Sequence, residues 1–442
     1  MTQDESREST VGSMNSKMLP NKNCRYLKYW LWLRWKQKWW SKMRATIQTF
    51  QSKLGDCIFF SIENDEKRFV TMIDCGKYTD DIREYVEVTA EKHINLLVVT
   101  HIDNDHVDGL VEMLEQTPDV RIDKILYNCN QLWNGQPKIQ PSDAMKQSLQ
   151  TLSTNLPSRQ KNDNGKIKAD KAVMLAEKIG RNDAWWEAWK KDEYITVAIK
   201  PILLDEHDKK FGKFVVLSPT VAGIERLNKN FKLEYARLTK HILAEGGNVE
   251  GQETLFELVE RLASMKRRNY GIMEPVKSGA VTNFLEENKL KGAFDFEPQG
   301  VSDENEASIA LMWEYDGKRV LFMGDAEPDD VADRIKAVYG DDKLEVEAVK
   351  VSHHGSKHST SKKLLNQVDS GHYFFTGGNL KDKPSLQAIM KIVKRNDERR
   401  RTLHFNNREN KVVKALMSEL GTAVREKYHF DISESNEHKF EY

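Results

Sequence analysis

The chain has 442 residues, a formal net charge of zero at pH 7 and 39% hydrophobic residues, which is typical of a soluble globular protein. The neutral total excludes a basic field over the whole molecule, so any surface for nucleic acid must be a local patch. The length fits one large domain or two to three average ones.

Cysteine content and hydropathy exclude two further classes of protein. Cys24, Cys57, Cys75 and Cys129 are too few and too scattered for a disulfide scaffold, and none forms a CxxC pair, so reduced thiols in a cytoplasmic protein are expected. The chain never reaches the roughly 18 uninterrupted apolar residues of a membrane-spanning helix. Residues 1–23 are polar, which predicts that no signal peptide opens the chain.

Residues 1–43 are predicted to be a basic and aromatic extension in front of a main domain at 44–442. The stretch Arg25–Trp40, RYLKYWLWLRWKQKWW, holds five of the chain's ten tryptophans among lysines and arginines. This pattern suits an interfacial helix or an arm that stacks on nucleic acid. It equally suits a poorly ordered extension, and the sequence leaves these alternatives open.

The main domain begins with a β-β-α-β pattern. GDCIFFSIEN and KRFVTMIDCG are strand-like and flank the turn NDEK, which predicts a hairpin. The helical stretch TDDIREYVEVTAEKH and the strand NLLVVT follow. A related texture returns at SIALMWEYDGKRVLFMGDAEP, in which Asp316 and Gly317 mark a second hairpin. Mixed hairpins and β-α units predict an α/β layered fold of two similar halves.

The halves are separated by a predicted insertion at about 115–295 that is largely helical. It contains the strand-like stretch FGKFVVLSPT (Phe211–Thr220) and the helical stretch DAWWEAWKKD. Trp185, Trp186 and Trp189 share that helix, and their spacing favours packing over a platform that stacks on a substrate. The insertion is a candidate surface for a protein partner.

Metal-seeking side chains follow several predicted strands at the point where each strand ends. The strand Leu97–Thr100 is followed by His101, Asp103, Asp105 and His106. Asp74 follows FVTMI, Asp325 follows VLFMG, and His353 and His354 follow VEAVKVS. Imidazole and carboxylate suit Zn²⁺, Mn²⁺ or Fe, so the pattern predicts a mononuclear or binuclear metal site.

These motifs together resemble the metallo-β-lactamase superfamily, and within it the hydrolase domain of ComEC-type competence proteins. The resemblance is carried by LGDCIFF, IDCG, THIDNDHVDGL, ENEASIALMWEYDGKRVLFMGDAE, VKVSHHGSKHS and FTGGNLKDKPS. It covers about 45–120 and 300–407, with the blocks in the family's order. It implies a four-layer α-β-β-α sandwich for 44–442, with metals at one edge of the two sheets.

The resemblance also implies roles for individual residues. Six would bind two divalent metal ions: His101 and Asp103 the first ion, Asp105 and His106 the second, Asp325 both, and His354 the second. Asp105 and His353 are the catalytic candidates, with His353 either a neighbouring ligand or an acid. Asp74 would orient a ligand from behind, and Asn305 and Ser308 would face the site.

The chain departs from the family's pattern in two places. Asp103 stands where the family usually has a histidine, and this harder ligand favours Mn²⁺ or Mg²⁺, although Zn²⁺ remains compatible. The family's further histidine between the two halves has only His207 and His241 as candidates, and neither follows a predicted strand. The first ion is therefore expected to be held weakly or to arrive with substrate.

The implied reaction is hydrolysis by a metal-bound hydroxide. The resemblance favours a phosphodiesterase or nuclease acting on single-stranded DNA or nucleotides. The alternatives are hydrolysis of a small ester, lactone or phosphocholine-like group, and a partner-binding module within a larger system. A basic groove beside the site would separate the first from the second. The run Val393–Arg401, VKRNDERRR, is either a solvated helix end or a contact to phosphates.

Overall fold

The computed structural model describes residues 42–52, 54–129, 170–189, 193–229, 285–378, 380, 382–395 and 398–442. Met43–Tyr442 forms one compact unit. The tryptophan-rich stretch and His241 lie outside the described residues, so the predictions made for them remain predictions. In the part of the chain that is described, no helix combines the length and the apolar character needed to cross a membrane.

The described chain contains twenty strands. They are, in chain order, β1 (Arg44–Thr49), β2 (Leu54–Gly55), β3 (Cys57–Glu63), β4 (Arg68–Cys75), β5 (His93–Ile94), β6 (Leu96–Val99), β7 (Arg121–Ile122), β8 (Ile125–Tyr127), β9 (Ile202–Leu203), β10 (Lys213–Ser218), β11 (Ala310–Tyr315), β12 (Lys318–Phe322), β13 (Leu344–Val346), β14 (Ala348–Lys350), β15 (Val368–Ser370), β16 (His372–Phe375), β17 (Gly377–Gly378), β18 (Arg401–Phe405), β19 (Phe430–Ile432) and β20 (Glu437–Glu441).

Helices connect these strands. They are α1 (Asp80–Glu84), α2 (Asn104–Gln116), α3 (Asp170–Gly180), α4 (Asp183–Ala188), α5 (Glu287–Asp295), α6 (Asp303–Glu306), α7 (Pro328–Tyr339), α8 (Lys362–Gln367), α9 (Leu386–Val393), α10 (Lys411–Met417) and α11 (Glu419–Lys427). A π-helical turn, Tyr85–Thr89, extends α1, and short 3₁₀ turns occupy Lys209–Phe211 and Ser352–Gly355.

The first half of the chain, together with β20 from its C-terminal end, builds a six-stranded sheet in the order β20-β1-β3-β4-β6-β8. β3 and β4 form the predicted antiparallel hairpin, and β6 joins β4 in parallel through α1. This confirms the predicted β-β-α-β order. Cys57 and Cys75 face each other across the hairpin as free, buried thiols, which agrees with their predicted place in the core.

The second half builds an eight-stranded sheet in the order β19-β18-β16-β14-β12-β11-β10-β9. β11 and β12 form the second predicted hairpin, with φ of 46° at Asp316 and 77° at Gly317. Positive φ at both central residues is what a tight two-residue turn between twisted strands requires. Beyond β12 the sheet continues in parallel through β14, β16, β18 and β19, because helices return the chain each time.

The two sheets face each other and helices cover their outer faces. Phe60 of the first sheet packs between Trp313 and Phe322 of the second, with ring centroids 5.3 and 5.4 Å apart. A second apolar cluster joins the first sheet to α2 and α3, and a third joins the second sheet to α7 and α9. These layers confirm the predicted four-layer α-β-β-α sandwich.

The predicted insertion at about 115–295 is too wide. β8 extends the first sheet and β9 and β10 extend the second, so these parts of the chain belong to the sandwich. Strands this short carry little sequence pattern, which is why helical texture dominated the prediction. α3 and α4 pack on the first sheet, where the indole nitrogens of Trp185 and Trp189 donate to the carbonyls of Val120 and Tyr127. The packing role predicted for these tryptophans is confirmed.

Candidate metal centre

The ends of four strands meet at one edge of the sandwich. Asp74 lies at the end of β4, and His101 follows β6. Asp325 follows β12, and His354 follows β14. All four side chains are buried, and they are brought together because β4 and β6, and likewise β12 and β14, run in parallel and end at the same edge. The site predicted from strand ends is therefore assembled from both halves of the chain.

The backbone at this edge adopts conformations that most residues avoid. Asp74, His353 and His354 have φ of 56°, 49° and 57°, and Gly324 and Gly355 have φ of 52° and 80°. A non-glycine residue held in this left-handed region typically costs about 1–3 kcal/mol, and such residues cluster at functional sites. At His353 and His354 this strained backbone directs the two imidazoles into the centre.

Four imidazoles surround one carboxylate oxygen. The Nε2 atoms of His106, His353, His354 and His101 lie 3.5, 3.7, 3.7 and 3.8 Å from Oδ2 of Asp325. These separations are too long for good hydrogen bonds. His101 Nε2, His106 Nε2 and Asp325 Oδ1 are buried without a hydrogen-bond partner. Buried polar atoms that converge without partners are what a bound cation would satisfy.

Two further carboxylates border the centre at the start of α2. Asp105 Oδ2 lies 3.2 Å from His354 Nε2, and its Oδ1 lies 4.0 Å from His106 Nε2. Asp103 Oδ2 lies 3.8 Å from His101 Nε2. Asp103 has extended backbone directly before α2, so the chain turns there and both carboxylates reach the same space. The two residues of each implied pair, His101 with Asp103 and Asp105 with His106, are thus neighbours in space.

Hydrogen bonds behind the rings fix the tautomers of three histidines. Asp74 Oδ2 accepts from His106 Nδ1 at 2.8 Å, and Asp56 Oδ1 accepts from His354 Nδ1 at 2.8 Å. Thr100 Oγ1 donates its proton to Asp74 at 2.6 Å, so it accepts from Nδ1 of the adjacent His101 at 3.1 Å. When neutral, each ring thus carries its proton on Nδ1 and turns the lone pair of Nε2 toward the centre.

His353 differs from the other three rings. Its Nδ1 lies 3.1 Å from the side-chain amide nitrogen of Asn305 and 3.3 Å from Ser359 Oγ. The amide donates to Nδ1, so the proton of a neutral ring lies on Nε2 and points into the centre. Burial lowers the pKa of His353 to about 4. Asn305 thus contacts His353 and leaves this ring in a different tautomer from the three rings that present a lone pair.

Ser308 contacts the backbone of Asp325 and the ring of His101. Its Oγ accepts from the backbone N of Asp325 at 2.9 Å and lies 3.5 Å from His101 Nδ1. A Cβ added to Gly324 would meet this oxygen at 2.5 Å, so the turn before Asp325 tolerates no side chain. Ser308 therefore fixes the position of Asp325 from the neighbouring strand.

Asp56 and Lys350 are parts of the centre that the sequence motifs did not reveal. Both side chains are buried and form an ion pair with each other. Lys350 Nζ also donates to the carbonyl of Gly324 at 2.8 Å and lies 3.7 Å from Asp325 Oδ1. Asp56, His106, Asp325 and His354 have ligand atoms within 4.8 Å of one another and could hold an ion. Because Asp56 already contacts Lys350 and the rear of His354, it orients rather than ligates.

The charges of the centre do not balance by themselves. The carboxylates are those of Asp56, Asp74, Asp103, Asp105 and Asp325. Among the described contacts, Lys350 supplies the one ammonium group against them. With neutral imidazoles the site would carry a net charge of about −4, which two divalent cations would neutralise.

Without ions, the histidines respond to this negative charge. Burial by itself would lower the pKa of His106, but the carboxylates of Asp325, Asp74 and Asp105 raise it well above its ordinary value. Burial would likewise raise the pKa of Asp325, but the imidazoles of His106 and His354 hold it well below. Cations that bind here would displace these protons, since a ligating imidazole must be neutral.

His207 does not belong to the centre. Its backbone N donates to Asp205 Oδ1 at 2.8 Å in the turn after β9. It lines a cavity of about 430 Å³ together with Lys67 and Leu96, which stand at the starts of β4 and β6. The centre lies at the opposite ends of these strands, so His207 is not the missing ligand.

Facing sheets, outer helices and a histidine–aspartate site at one edge agree with the four-layer α-β-β-α sandwich that the sequence resemblance implied. No family model matches the chain, and no curated protein matches it. A diphosphatase from the PhnP family is similar over 76% of this chain and 86% of that one, at 12% identity and a TM-score of 0.28. A mutant of CmlA beta-hydroxylase is similar over 90% of this chain and 54% of that one, at 8% identity and a TM-score of 0.34. Similarity at this level does not extend to activity.

Proposed function

We propose that the chain is a hydrolase that uses two divalent metal ions to cleave phosphodiesters, with single-stranded DNA or nucleotides as substrate. The observation that carries the proposal is the convergence of the Nε2 atoms of His106, His354 and His101 on Oδ2 of Asp325, at 3.5–3.8 Å. A carboxylate in that position suits a bridge between two ions. The unsatisfied charge of about −4 supports two ions rather than one.

The residues divide into two ligand sets. His101 and Asp103 would hold one ion, and Asp105, His106 and His354 the other, with Asp325 shared. Such ions act as Lewis acids, and each lowers the pKa of a water molecule that it binds. Three of the imidazoles are already set in the ligating tautomer by Asp74, Asp56 and Thr100. Three imidazoles and three carboxylates suit Zn²⁺ or Mn²⁺, and the carboxylates also permit Mg²⁺; Mn²⁺ and Mg²⁺ are common partners of phosphate oxygens.

His353 would act on the substrate directly. Asn305 leaves its proton on Nε2, and the side chain is 25% exposed, unlike the fully buried ring of His354. The N–H of this neutral ring at the open side of the centre can donate a hydrogen bond to a phosphoryl oxygen or to the leaving oxygen, without transferring its proton. Removal of one such donor to developing negative charge typically costs about 10²–10³-fold in kcat. His353 is thus assigned as the donor, not as a ligand.

The first test compares hydrolysis of bis(p-nitrophenyl) phosphate and of labelled single-stranded DNA, with Mn²⁺, Mg²⁺ or Zn²⁺ added. Asp325→Ala should abolish both activities and leave the circular dichroism spectrum unchanged. Asp342→Ala, at an exposed loop position, is the matched control and should keep wild-type rates. Wild-type turnover by Asp325→Ala would refute the two-ion centre.

A second test separates ligand from donor. His354→Gln should lower bound metal from two ions to one, measured by inductively coupled plasma mass spectrometry after dialysis. His353→Gln should keep two ions and lose about 10²–10³-fold in kcat, because a positioned hydrogen-bond donor is removed. Loss of an ion in His353→Gln would show that this ring ligates, and the assignment of the donor would be wrong.

A further inference from the structure

Three lysines surround two phenylalanine rings close to the metal centre. Phe294 lies in the last turn of α5, and Phe296 directly follows that helix. Lys394 and Lys362 place Nζ 4.3 and 5.2 Å from the ring centroid of Phe294. Lys357 places Nζ 5.5 Å from that of Phe296. These five residues are called the Lys/Phe surface below.

The Lys/Phe surface is continuous with the metal centre. Lys357, His358 and Ser359 continue the loop that carries His353. Ser359 Oγ lies 3.3 Å from Nδ1 of His353, and the ring of His358 meets the ring of Phe296 at 5.4 Å. A ligand that lies on the surface and extends along this loop therefore arrives at the open side of the centre, where His353 is exposed.

A buried lysine supports this surface from below. Lys391 is 1% exposed, donates to the carbonyl of Thr360 at 3.0 Å and places Nζ 5.4 Å from the ring of Phe296. Opposing charge comes from Glu297, which pairs with Lys362 at 2.7 Å, and from the neighbouring Asp295. Four lysines against two carboxylates leave a net positive charge, although the whole chain is neutral.

Among the described residues of the predicted basic run Val393–Arg401, Lys394 contributes to this surface. The side chains of Arg395 and Arg401 are buried against Asp369, at 2.8 and 2.7 Å. Arg400 pairs with two carboxylates, those of Glu426 and Asp431. Two of these arginines are thus inaccessible and the third is matched by two negative charges, so Lys394 is the residue of this run that is assigned to the surface.

We propose that the Lys/Phe surface binds the sugar-phosphate backbone of a single-stranded nucleic acid and leads it to the metal centre. The proposal rests on the proposed function and names its substrate as a polymer rather than a small ester. Ammonium groups held over aromatic rings are already positioned, so less side-chain entropy is lost when phosphates bind. Half-buried rings among positive charges are the combination with which proteins bind single strands without reading sequence.

The test neutralises three lysines and compares them with a matched set. The triple variant Lys357→Gln/Lys362→Gln/Lys394→Gln removes three charges from the surface. The control triple variant changes Lys67, Lys213 and Lys318, which pair with carboxylates at the ends of the sheets opposite the centre. Binding of a fluorescent oligothymidylate is measured by anisotropy between about 50 and 200 mM salt. The binding assay uses Asp325→Ala protein so that the strand stays intact.

Each single-strand phosphate contact contributes about 0.7 to the log–log salt slope, so the surface variant should bind with a slope smaller by about 2. The control triple variant should keep the wild-type slope. In the active protein, the ratio of kcat/KM for the oligonucleotide to kcat/KM for bis(p-nitrophenyl) phosphate should fall at least tenfold in the surface variant. Equal slopes and equal ratios in the two triple variants would refute the proposal that the Lys/Phe surface binds nucleic acid. If the wild type hydrolysed neither substrate, the proposed function would be refuted instead. The binding measurement would still test whether the Lys/Phe surface binds single strands.

Discussion

Removal of the buried ammonium group of Lys350 should destabilise the metal-free protein severely. Asp56 and Lys350 are 0% and 2% exposed, and the lysine is the nearest cation to that carboxylate. Burial by itself would raise the pKa of Asp56, but Lys350 and His354 hold it well below its ordinary value. Breaking a buried ion pair from one side typically costs about 3–5 kcal/mol, because one charge remains unpaired. We expect Lys350→Met to fall in this range.

Removal of the carboxylate of Asp56 should lower the free energy of unfolding less than removal of the ammonium group of Lys350. In Asp56→Asn the ammonium group keeps Asp325 at 3.7 Å and the carbonyl of Gly324 at 2.8 Å, so it is not left alone. A loss of about 1–3 kcal/mol, typical of a broken buried hydrogen bond, is expected. The double variant removes both charges. It should therefore be more stable than the sum of the single losses by about 1–3 kcal/mol.

The assay is equilibrium urea unfolding of all four proteins in the presence of a chelator. The exposed pair Lys336 and Asp341, 2.6 Å apart, is the matched control, with the same substitutions. Its coupling energy should be only about 0.2–1 kcal/mol, since exposed ion pairs contribute little. A loss below about 1 kcal/mol in Lys350→Met, or additivity within about 0.5 kcal/mol at Asp56 and Lys350, would refute the reasoning.

Three further predictions concern acid, packing and metal. Burial lowers the pKa of His404 to about 4, below the value of about 6.5 expected in the unfolded chain. The contribution of His404 to the free energy of unfolding is therefore fully present above pH 6.5, and up to about 3 kcal/mol is lost as the pH falls toward 4. Urea midpoints measured against pH should show this loss, and the loss should be smaller in His404→Gln. Gly109→Ala should cost about 1–3 kcal/mol by the same assay, because its Cβ would lie 2.6 Å from Cys75 Sγ. Mn²⁺ at 100 times its dissociation constant should stabilise the wild type by about 2.7 kcal/mol, and Asp325→Ala much less.

The centre was predictable where its residues follow strands in recognisable strings. His101, Asp105, His106 and His354 stand beside apolar runs that could only be buried strands, so their convergence followed from the topology. Asp56 and Lys350 lie within the quoted strings LGDCIFF and VKVSHHGSKHS, but neither residue type in that position indicated a role at the centre. A lysine in an apolar strand is usually exposed, and only the distance to Asp56 and Asp325 shows that it is buried with partners.

The fold was predictable in its two hairpins and in the strands that helices follow. The edge strands β8 and β9 were not predictable, because they have three and two residues and no periodicity to detect. The tautomer of His353 was also beyond sequence, since it depends on an amide that is 48 residues distant in the chain. Residue types thus predicted the site, and contacts between distant residues decided which side chain can ligate and which can donate.

The distance along the chain between the ligands has a consequence for assembly. Asp105 and His354 are 249 residues apart in sequence, and they meet only when the two sheets have docked. Closing so long a loop carries an entropy cost that neither half can repay alone. Neither half holds a complete ligand set, so tight metal binding would report that both sheets are in register. Two separately expressed halves, mixed with metal, would make metal retention a direct readout of their reassociation.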